Sequence, residues 1–265
     1  MMRDIKAIAR SVLTSSGSQN FLGAGWIPAA LKAAPRKLQP WFALRLLSIS
    51  PHYFYGPPEI EAERNRKSRE QIARDVIAQF VTPSSIVLDY GCGPGYLAKA
   101  VAPMARWVDA VDISKGVTAC ANVLNAARNI SYLTVDEFKR ERAECATYDL
   151  SYSFAVVQHV TDAVFQEILC GIYNRLKPGG RIAIHIVIDD INWRTEAEWK
   201  NDLSLRGRLK LRHGLNCFRR NKNDVKHLVS NAGFLDVRIE PLSLLTAVDD
   251  DVARQHLITA TRTLS

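Results

Sequence analysis

Short apolar runs alternate with stretches of helical periodicity along most of the chain. The apolar runs are rich in β-branched residues, which is typical of strands buried in a parallel sheet. Five such strands are predicted, at residues 85–90, 107–112, 130–135, 148–154 and 181–188. Strands that alternate with helices in this way predict an α/β domain.

Helical spacing of apolar positions predicts the longer helices, at residues 59–81, 115–127, 163–176 and 224–232. The third is followed by Lys177-Pro178-Gly179-Gly180, so we expect a left-handed glycine to end it. A strand reaching Glu240 follows the last helix, and Leu257–Thr261 is expected to be a final edge strand. These two strands are predicted to pair as a hairpin.

The first strand leads into a turn that contains Gly91, Gly93 and Gly95, and Asp89 lies near the end of the strand. Glycine allows a sharp turn and a close approach of the backbone to a ligand. A dinucleotide site has the spacing G-x-G-x-x-G, but Tyr96 stands at the place of its last glycine. The carboxylate of Asp89 beside the turn suits an ammonium group better than a diphosphate, which favours S-adenosylmethionine (SAM) as the ligand.

Two motifs carry a resemblance to a known family. Val87–Gly95 is similar to motif I of the class I SAM-dependent methyltransferases, and the Leu-Lys-Pro-Gly-Gly stretch at 176–180 is also characteristic of them. The resemblance covers residues 59–191 and, more weakly, 224–261. It implies a Rossmann-like three-layer sandwich, with a seven-stranded, mostly parallel sheet whose last strand is antiparallel. It also implies SAM as cofactor, S-adenosylhomocysteine as product, and no metal ion.

The resemblance assigns roles at the ends of the strands. Asp112 would accept both ribose hydroxyls, and Asp136 would take the adenine amino group. The backbone near Ser153 and Phe154 would face the methionine end of the cofactor. The full set of implied cofactor-binding residues is Asp89, Tyr90, Gly91, Gly93, Gly95, Asp112, Ile113, Asp136, Glu137, Ser153 and Phe154.

His159 is the candidate catalytic residue, because it follows the fourth strand beside the expected methyl donor. A neutral imidazole is a suitable general base near pH 7 when the acceptor is a hydroxyl. The alternative is that His159 is structural. His185, in the middle of the fifth strand, is predicted to be a core residue with satisfied hydrogen bonds.

Positive charge is concentrated in two regions of this chain, whose formal net charge is +8. Residues 1–58 form a basic, aromatic-rich arm, predicted either to pack on the core as a helical cap over the cofactor pocket or to contact an anionic membrane surface. Residues 59–265 form the methyltransferase domain, which contains a basic insertion at 191–223. The insertion suggests an anionic acceptor, or equally a solvated basic face without a ligand.

Composition narrows the class of protein and its location. With 265 residues, 47% hydrophobic and 23% charged, the chain is typical of a soluble globular protein. Five cysteines without C-x-x-C pairing indicate reduced thiols and a cytoplasmic location, with peripheral contact at the inner membrane as an option. No apolar run is long enough to span a membrane, and the N-terminus has no secretory signal pattern.

The resulting prediction is a SAM-dependent methyltransferase that acts on a hydroxyl of a small molecule, a sugar or a lipid-linked intermediate. The alternatives are an RNA methyltransferase and a non-catalytic SAM-binding regulatory module. Against RNA, the fourth strand is followed by Ala155-Val156 and not by an Asn/Asp-Pro-Pro-Tyr/Phe tetrapeptide. The expected partner is therefore a small-molecule acceptor, with no stable nucleic-acid partner. The sequence does not predict an oligomeric state.

Overall fold

A mixed sheet of seven strands forms the centre of the computed structural model, which describes residues 26–49, 56–142, 146–213, 216–242 and 254–264. Its order is β3-β2-β1-β4-β5-β7-β6. The first five strands are mutually parallel, and β7 is antiparallel to both of its neighbours. The strands are β1 (Ile86–Tyr90), β2 (Trp107–Asp112), β3 (Ile130–Thr134), β4 (Tyr148–Ser153), β5 (Leu176–Val187), β6 (Leu235–Pro241) and β7 (Gln255–Thr261). The predicted fold class is confirmed.

Helices cover both faces of the sheet. They are α1 (Trp26–Ala33), α2 (Gln39–Ile49), α3 (Pro58–Ile72), α4 (Tyr96–Val101), α5 (Lys115–Leu124), α6 (Val135–Glu141), α7 (Asp162–Arg175), α8 (Glu196–Asn201), α9 (Leu205–His213) and α10 (Lys222–Asn231). A π turn (Ala73–Ile77) and a 3₁₀ turn (Ala78–Phe80) extend α3 towards β1. In the part of the chain that the structure describes, no helix is long and apolar enough to cross a membrane.

Alternation along the central strands divides the core into two layers. In β5, Ile182, Ile184 and Ile186 pack towards α7 and α10, whereas Ala183 belongs to the cluster on the opposite face of the sheet. Both faces are buried because helices cover each of them, as expected for a parallel α/β sheet. This arrangement leaves the carboxyl ends of the strands as the accessible edge of the sheet.

The described part of the N-terminal arm packs on α5. Ile27 and Leu31 of α1 and Ala43 and Leu47 of α2 form a buried cluster with Val117 and Cys120, and neither helix borders the cofactor region. The apolar positions of α1 and α2 are thus used for packing on the domain. Residues 1–25 and 50–55 of the arm lie outside the described residues.

Three local expectations are wrong. Helix α7 ends at Arg175 because Leu176 is already extended (φ −69°, ψ 148°), and Gly179, with φ +73°, turns the chain within β5. Strand β7 is not an edge strand, because it lies between β5 and β6. The strand predicted at 130–135 ends at Thr134, because Val135 is the first residue of helix α6, which a capping box between Thr134 and Glu137 begins.

Candidate active site

A cavity of about 1090 Å³ opens at the carboxyl ends of β1, β2 and β4, next to the point where the strand order reverses. Ligands bind at this place in open α/β sheets. The volume reaches the upper end of the usual range for ligand pockets, so it can hold a cofactor and an acceptor together. We call the wall formed by 89–97 and 111–113 the glycine-turn half. The wall formed by His159, the end of β5, the insertion and the start of β7 is the insertion half.

The glycine turn owes its shape to residues that have no side chain. Gly91 and Gly93 have positive φ angles of 80° and 52°, a backbone region that other residues rarely adopt. A Cβ atom on Gly91 would also overlap the side chain of Val156. The backbone N–H of Gly91 donates to the Val111 carbonyl (2.7 Å), which holds the turn against β2.

Gly95, the third predicted glycine, does not line the cavity. Its φ angle is +83°, and a Cβ atom there would lie 2.6 Å from the Tyr132 hydroxyl oxygen. Tyr132 in turn donates to the Asn125 carbonyl (2.9 Å). Gly95 is therefore required for close packing between the turn and β3.

Asp89 is a buried carboxylate on the cavity wall. It is only 1% exposed, and its Oδ2 atom has no hydrogen-bond partner among the described residues. Burial and the neighbouring Asp112 raise the pKa of Asp89 to about 8, against the opposing effect of Arg69. Arg69 lines the same wall from α3, and burial lowers its pKa. This side of the cavity thus presents a carboxylate oxygen without a partner and a guanidinium group.

Asp112 ties the glycine turn to the start of α5. Its Oδ2 accepts the Gly93 N–H (3.0 Å), and its Oδ1 accepts the Ser114 N–H (2.9 Å). Burial raises the pKa of Asp112, and these backbone N–H groups oppose the shift. Each oxygen keeps a second lone pair, so the carboxylate can still accept two hydroxyl donors. Ile113 and Tyr90, both predicted as site residues, line the cavity beside it.

Asp136 and Glu137 do not line the cavity. Glu137 Oε2 accepts the Thr134 N–H (2.8 Å) in the capping box, and this bond lowers the pKa of Glu137. Asp136 is exposed in the first turn of α6. The cavity is lined here by Val135, Phe138 and Lys139, so an apolar surface stands where an acid was expected.

The exit from β4 brings two predicted residues to different places. Ser153 is buried and does not line the cavity, whereas Phe154 does. Ala155 follows with a φ angle of +60°, which is strained for a residue with a side chain. Its N–H donates to His185 Nδ1 (3.2 Å), and the ring of His185 stacks on Phe154 with 5.7 Å between centroids.

His185 is hydrogen-bonded as predicted, but it faces the cavity. Since Nδ1 accepts from Ala155, the proton resides on Nε2, which donates to Gln255 Oε1. Burial lowers the pKa of His185 to about 4. Because both ring nitrogens are occupied, His185 has no free atom with which to take a proton from a substrate.

His159 differs from His185 in this respect. It ends a 3₁₀ turn (Val157–His159), lines the cavity, and places Nδ1 3.0 Å from the Asn216 carbonyl oxygen. The Cys217 Sγ atom lies 3.4 Å from the same nitrogen. Because the closer partner is a carbonyl, which only accepts, we assign the proton to Nδ1, and the Nε2 lone pair has no partner among the described residues. Burial lowers the pKa of His159, which keeps the ring neutral at pH 7.

The insertion contributes the rest of the wall, with Asn192, Trp193, Asn216, Cys217 and Phe218. Across residues 191–211 and 216–223, no lysine or arginine lines the cavity. Instead, several of these cations pair with acids, as in Arg194–Asp202 (2.8 Å), Lys200–Glu196 (2.5 Å) and Arg219–Glu198 (3.1 Å). The basic insertion therefore gives no support to an anionic acceptor.

Sequence reasoning missed one ion pair in the insertion half. Asp190 follows β5, and Arg254 precedes β7, 64 residues later along the chain; the two side chains meet at 2.9 Å on the cavity wall. No local pattern indicates this pair, because it depends on the antiparallel pairing of β7 with β5. Among the described residues, no group of three or more His, Cys, Asp or Glu could hold a metal ion.

Comparison with known proteins identifies the class. The methyltransferase domain family matches residues 87–180. The SAM-dependent Diels-Alderase iliD of Neonectria sp. (strain DH2) is 31% identical over 178 residues, which cover 64% of this chain and 67% of that protein. The chain belongs to the class I SAM-dependent methyltransferase family.

Other relatives are matched over smaller parts or by fold alone. The ubiquinone biosynthesis O-methyltransferase of Pseudomonas savastanoi pv. phaseolicola is 29% identical over 100 residues, or 36% of this chain. The chain spans only about two fifths (41%) of that relative's length. A SAM-dependent methyltransferase structure from Mesorhizobium loti superposes with a TM-score of 0.52 at 17% identity, over 73% of this chain and 98% of that one.

The cofactor of this family is SAM, and the described residues fit it. SAM carries an ammonium group, and Asp89 offers a buried carboxylate oxygen that lacks a partner. SAM carries ribose hydroxyls, and Asp112 keeps a free lone pair on each oxygen. The absence of side chains at Gly91 and Gly93 leaves the backbone between these two acids open to a ligand.

Proposed function

We propose that this protein transfers the methyl group of SAM to a hydroxyl of a small molecule, with His159 as the general base. The observation that carries the proposal is the fixed tautomer of His159, whose Nδ1–H is held by the Asn216 carbonyl. The unprotonated Nε2 is then available to receive the hydroxyl proton. SAM, when bound, supplies an activated methyl group, so the chain has to orient the acceptor and remove its proton.

For the cofactor, we propose that Asp89 binds the ammonium group and Asp112 the ribose hydroxyls. Arg69, which faces Asp89, is placed to hold a carboxylate. Val135 and Phe138 form an apolar surface suited to a flat ring such as adenine. The turn at Gly91 and Gly93 and the side chains of Tyr90, Ile113 and Phe154 complete the contacts.

For the acceptor, the insertion half favours an uncharged molecule with an apolar or aromatic body. Trp193, Phe218 and Phe154 supply aromatic surface. Among the described residues of this half, the carboxylate of Asp190 and the guanidinium of Arg254 pair with each other at 2.9 Å. The ubiquinone biosynthesis O-methyltransferases, related over part of the chain, are named for O-methylation.

A second candidate function is a SAM-dependent pericyclic reaction without methyl transfer. The observation in its favour is that the relative matched over 64% of this chain is named as a Diels-Alderase. A reaction of this kind would leave SAM unconsumed. His159 would then act by hydrogen bonding and not as a base.

The experiment that separates these functions starts from SAM labelled in its methyl group. The protein is titrated with SAM and then incubated with an extract that is split into small-molecule, lipid, nucleic-acid and protein fractions. Label in the small-molecule or lipid fraction supports the proposal, and label in nucleic acid would favour RNA methylation. SAM binding without label in any fraction would leave the pericyclic or regulatory alternatives.

Membrane contact through the N-terminal arm is proposed as a partner interaction. One face of α2 and the residue before it expose Leu38, Trp41, Phe42 and Ile49, while Ala43 and Leu47 are buried. Arg45 lies over the ring of Trp41 (5.3 Å), so charge and aromatic surface occur together, as in interfacial helices. Binding to anionic but not to neutral vesicles is expected, and Trp41→Ser should weaken it.

We also propose a cytoplasmic location.

A further inference from the structure

The insertion returns to the domain along the turn that carries His159. We call residues 216–220 the return segment. The Asn216 carbonyl accepts a hydrogen bond from His159 Nδ1 (3.0 Å), and the Phe218 N–H donates to the Gln158 carbonyl (2.8 Å). Two residues further on, the Arg220 guanidinium donates to the carbonyls of Val157 (3.0 Å) and Val160 (2.5 Å). Each of the turn residues 157, 158 and 159 is thus hydrogen-bonded to the return segment.

Arg220 is a deeply buried cation in this arrangement. Its side chain is 3% exposed, and its Nε donates to Asp162 Oδ1 (2.6 Å) at the start of α7. The guanidinium lies over the rings of Phe165 (5.6 Å) and Phe218 (5.9 Å). A buried cation is retained only where its donors are satisfied. Here the acceptors are Asp162 Oδ1 and the carbonyls of Val157 and Val160, which all belong to the chain that flanks His159.

The Asn216 end of the return segment is fixed as well. Its side-chain Nδ2 donates to the Lys210 carbonyl (2.9 Å) and the Leu211 carbonyl (3.3 Å) near the end of α9. The carbonyl that sets the His159 tautomer is therefore held in place by the insertion itself. At the other end of the return segment, Arg220 donates to the carbonyls of Val157 and Val160 and so holds this segment against the turn.

We propose that Arg220 is a positioning residue, which holds the return segment against the turn so that His159 keeps its proton on Nδ1 and its Nε2 free. The function of the basic insertion is then to orient the base. This inference rests on the proposed role of His159. It does not require that the insertion contact an anionic acceptor.

The test compares Arg220→Lys and Arg220→Ala with Arg219→Ala. Arg219 is the adjacent arginine, but its side chain pairs with Glu198 within the insertion. Among the described residues it makes none of the hydrogen bonds that join Arg220 to the turn. Lysine retains the charge but cannot donate to two carbonyls and a carboxylate in the fixed geometry of a guanidinium. Arg220→Lys also serves if the alanine variant does not fold.

The primary measurement is the imidazole ¹⁵N spectrum of His159, assigned by its loss in His159→Ala. We expect the Nδ1–H tautomer in the wild type and in Arg219→Ala, and a mixture of tautomers in both Arg220 variants. Kcat is expected to fall roughly 10- to 100-fold in the Arg220 variants, as for a misplaced catalytic group. The dissociation constant for SAM should stay within about twofold, because the glycine-turn half is unchanged. Added guanidinium should partly restore Arg220→Ala.

An unchanged His159 tautomer in both Arg220 variants would overturn the inference, whatever their activity. Equal loss of kcat in Arg219→Ala would also overturn it, because the effect would then come from general disturbance of the insertion. If His159→Ala keeps full activity while the Arg220 variants change the tautomer, Arg220 positions the ring and the proposed role of the base is wrong. The two failures are therefore distinguishable.

Discussion

The two halves of the cavity are built in different ways. The glycine-turn half comes from one continuous strand–turn–helix unit and the end of the neighbouring strand, and Asp112 is bonded to the nearby backbone of Gly93 and Ser114. The insertion half joins residues 57 to 70 positions apart, as in His159–Asn216, Asp190–Arg254 and His185–Gln255. We propose that the first half binds the cofactor, which the family shares, and that the second half holds the acceptor.

The largest expected effect in the glycine-turn half is that of Asp89→Asn. The change removes the charge that would face the ammonium group and should weaken the free energy of SAM binding by about 1.5–3 kcal/mol. The dissociation constant should therefore rise roughly 10- to 150-fold. Isothermal titration calorimetry measures it. An unchanged affinity would show that Asp89 does not bind the cofactor.

The same residue predicts a pH dependence. Because the pKa of Asp89 is raised to about 8, its carboxyl group holds a proton in the unliganded protein at pH 7 and must release it to bind a cation. SAM affinity should therefore rise by up to tenfold per pH unit between about pH 6 and 8 and then level off. The Asp89→Asn variant is the control, since it should lose this part of the dependence.

That raised pKa also has a consequence for stability in the absence of SAM. The folded state binds the proton more tightly than the unfolded state, so the contribution of Asp89 to stability is greatest below the unfolded pKa of about 4. It declines as the pH rises towards the folded value of about 8. Asp89→Asn should consequently be more stable than the wild type at neutral pH in thermal unfolding, while it binds SAM less tightly.

A matched pair of aspartates on β2 separates binding from structure. Asp112→Ala should weaken SAM binding by about 1–3 kcal/mol, because ribose hydroxyls lose a charged acceptor. Asp109 is instead bonded to Arg142 (2.9 Å) and the Tyr148 hydroxyl (2.6 Å), away from the cavity. Asp109→Asn should lower the free energy of unfolding by a similar amount and leave the SAM affinity unchanged. The reverse outcome would exchange the two roles.

The smallest expected effect on cofactor binding is at α6. Glu137→Ala removes half of the capping box and should cost about 0.5–2 kcal/mol of stability, as measured by denaturant unfolding. Neither Glu137→Ala nor Asp136→Ala should change the dissociation constant for SAM by more than about twofold, since both side chains lie off the cavity. A tenfold loss in Asp136→Ala would restore the prediction made from the sequence.

Residues for the glycine-turn half could be proposed from the sequence, because they lie close together along the chain. A strand, three glycines and acids at two strand ends lie within 24 residues of one another, from Asp89 to Asp112. Glu137 carries a second signal: Thr134-Val-Asp-Glu137 is the Ser/Thr-x-x-Glu pattern of a capping box, which the structure forms. That pattern indicates a helix start, not a ligand.

The insertion half could be predicted only in part. His159 was found because it follows β4 directly, but Asn216, Asp190 and Arg254 gave no signal. Their positions depend on how the insertion folds back and on β7 entering the sheet between β5 and β6. The excess of positive charge in the insertion was misleading, since packing and pairing with its own acids account for several of its cations.

The most direct test of the account is methyl transfer by His159→Ala, measured as formation of S-adenosylhomocysteine with the acceptor fraction that the wild type labels. His227→Ala is the matched control, because His227 is exposed on α10. We predict that His159→Ala binds SAM normally and loses roughly 10²- to 10⁴-fold in turnover, whereas the control is unaffected. Wild-type turnover in His159→Ala would contradict the central claim that this ring takes the proton of the acceptor.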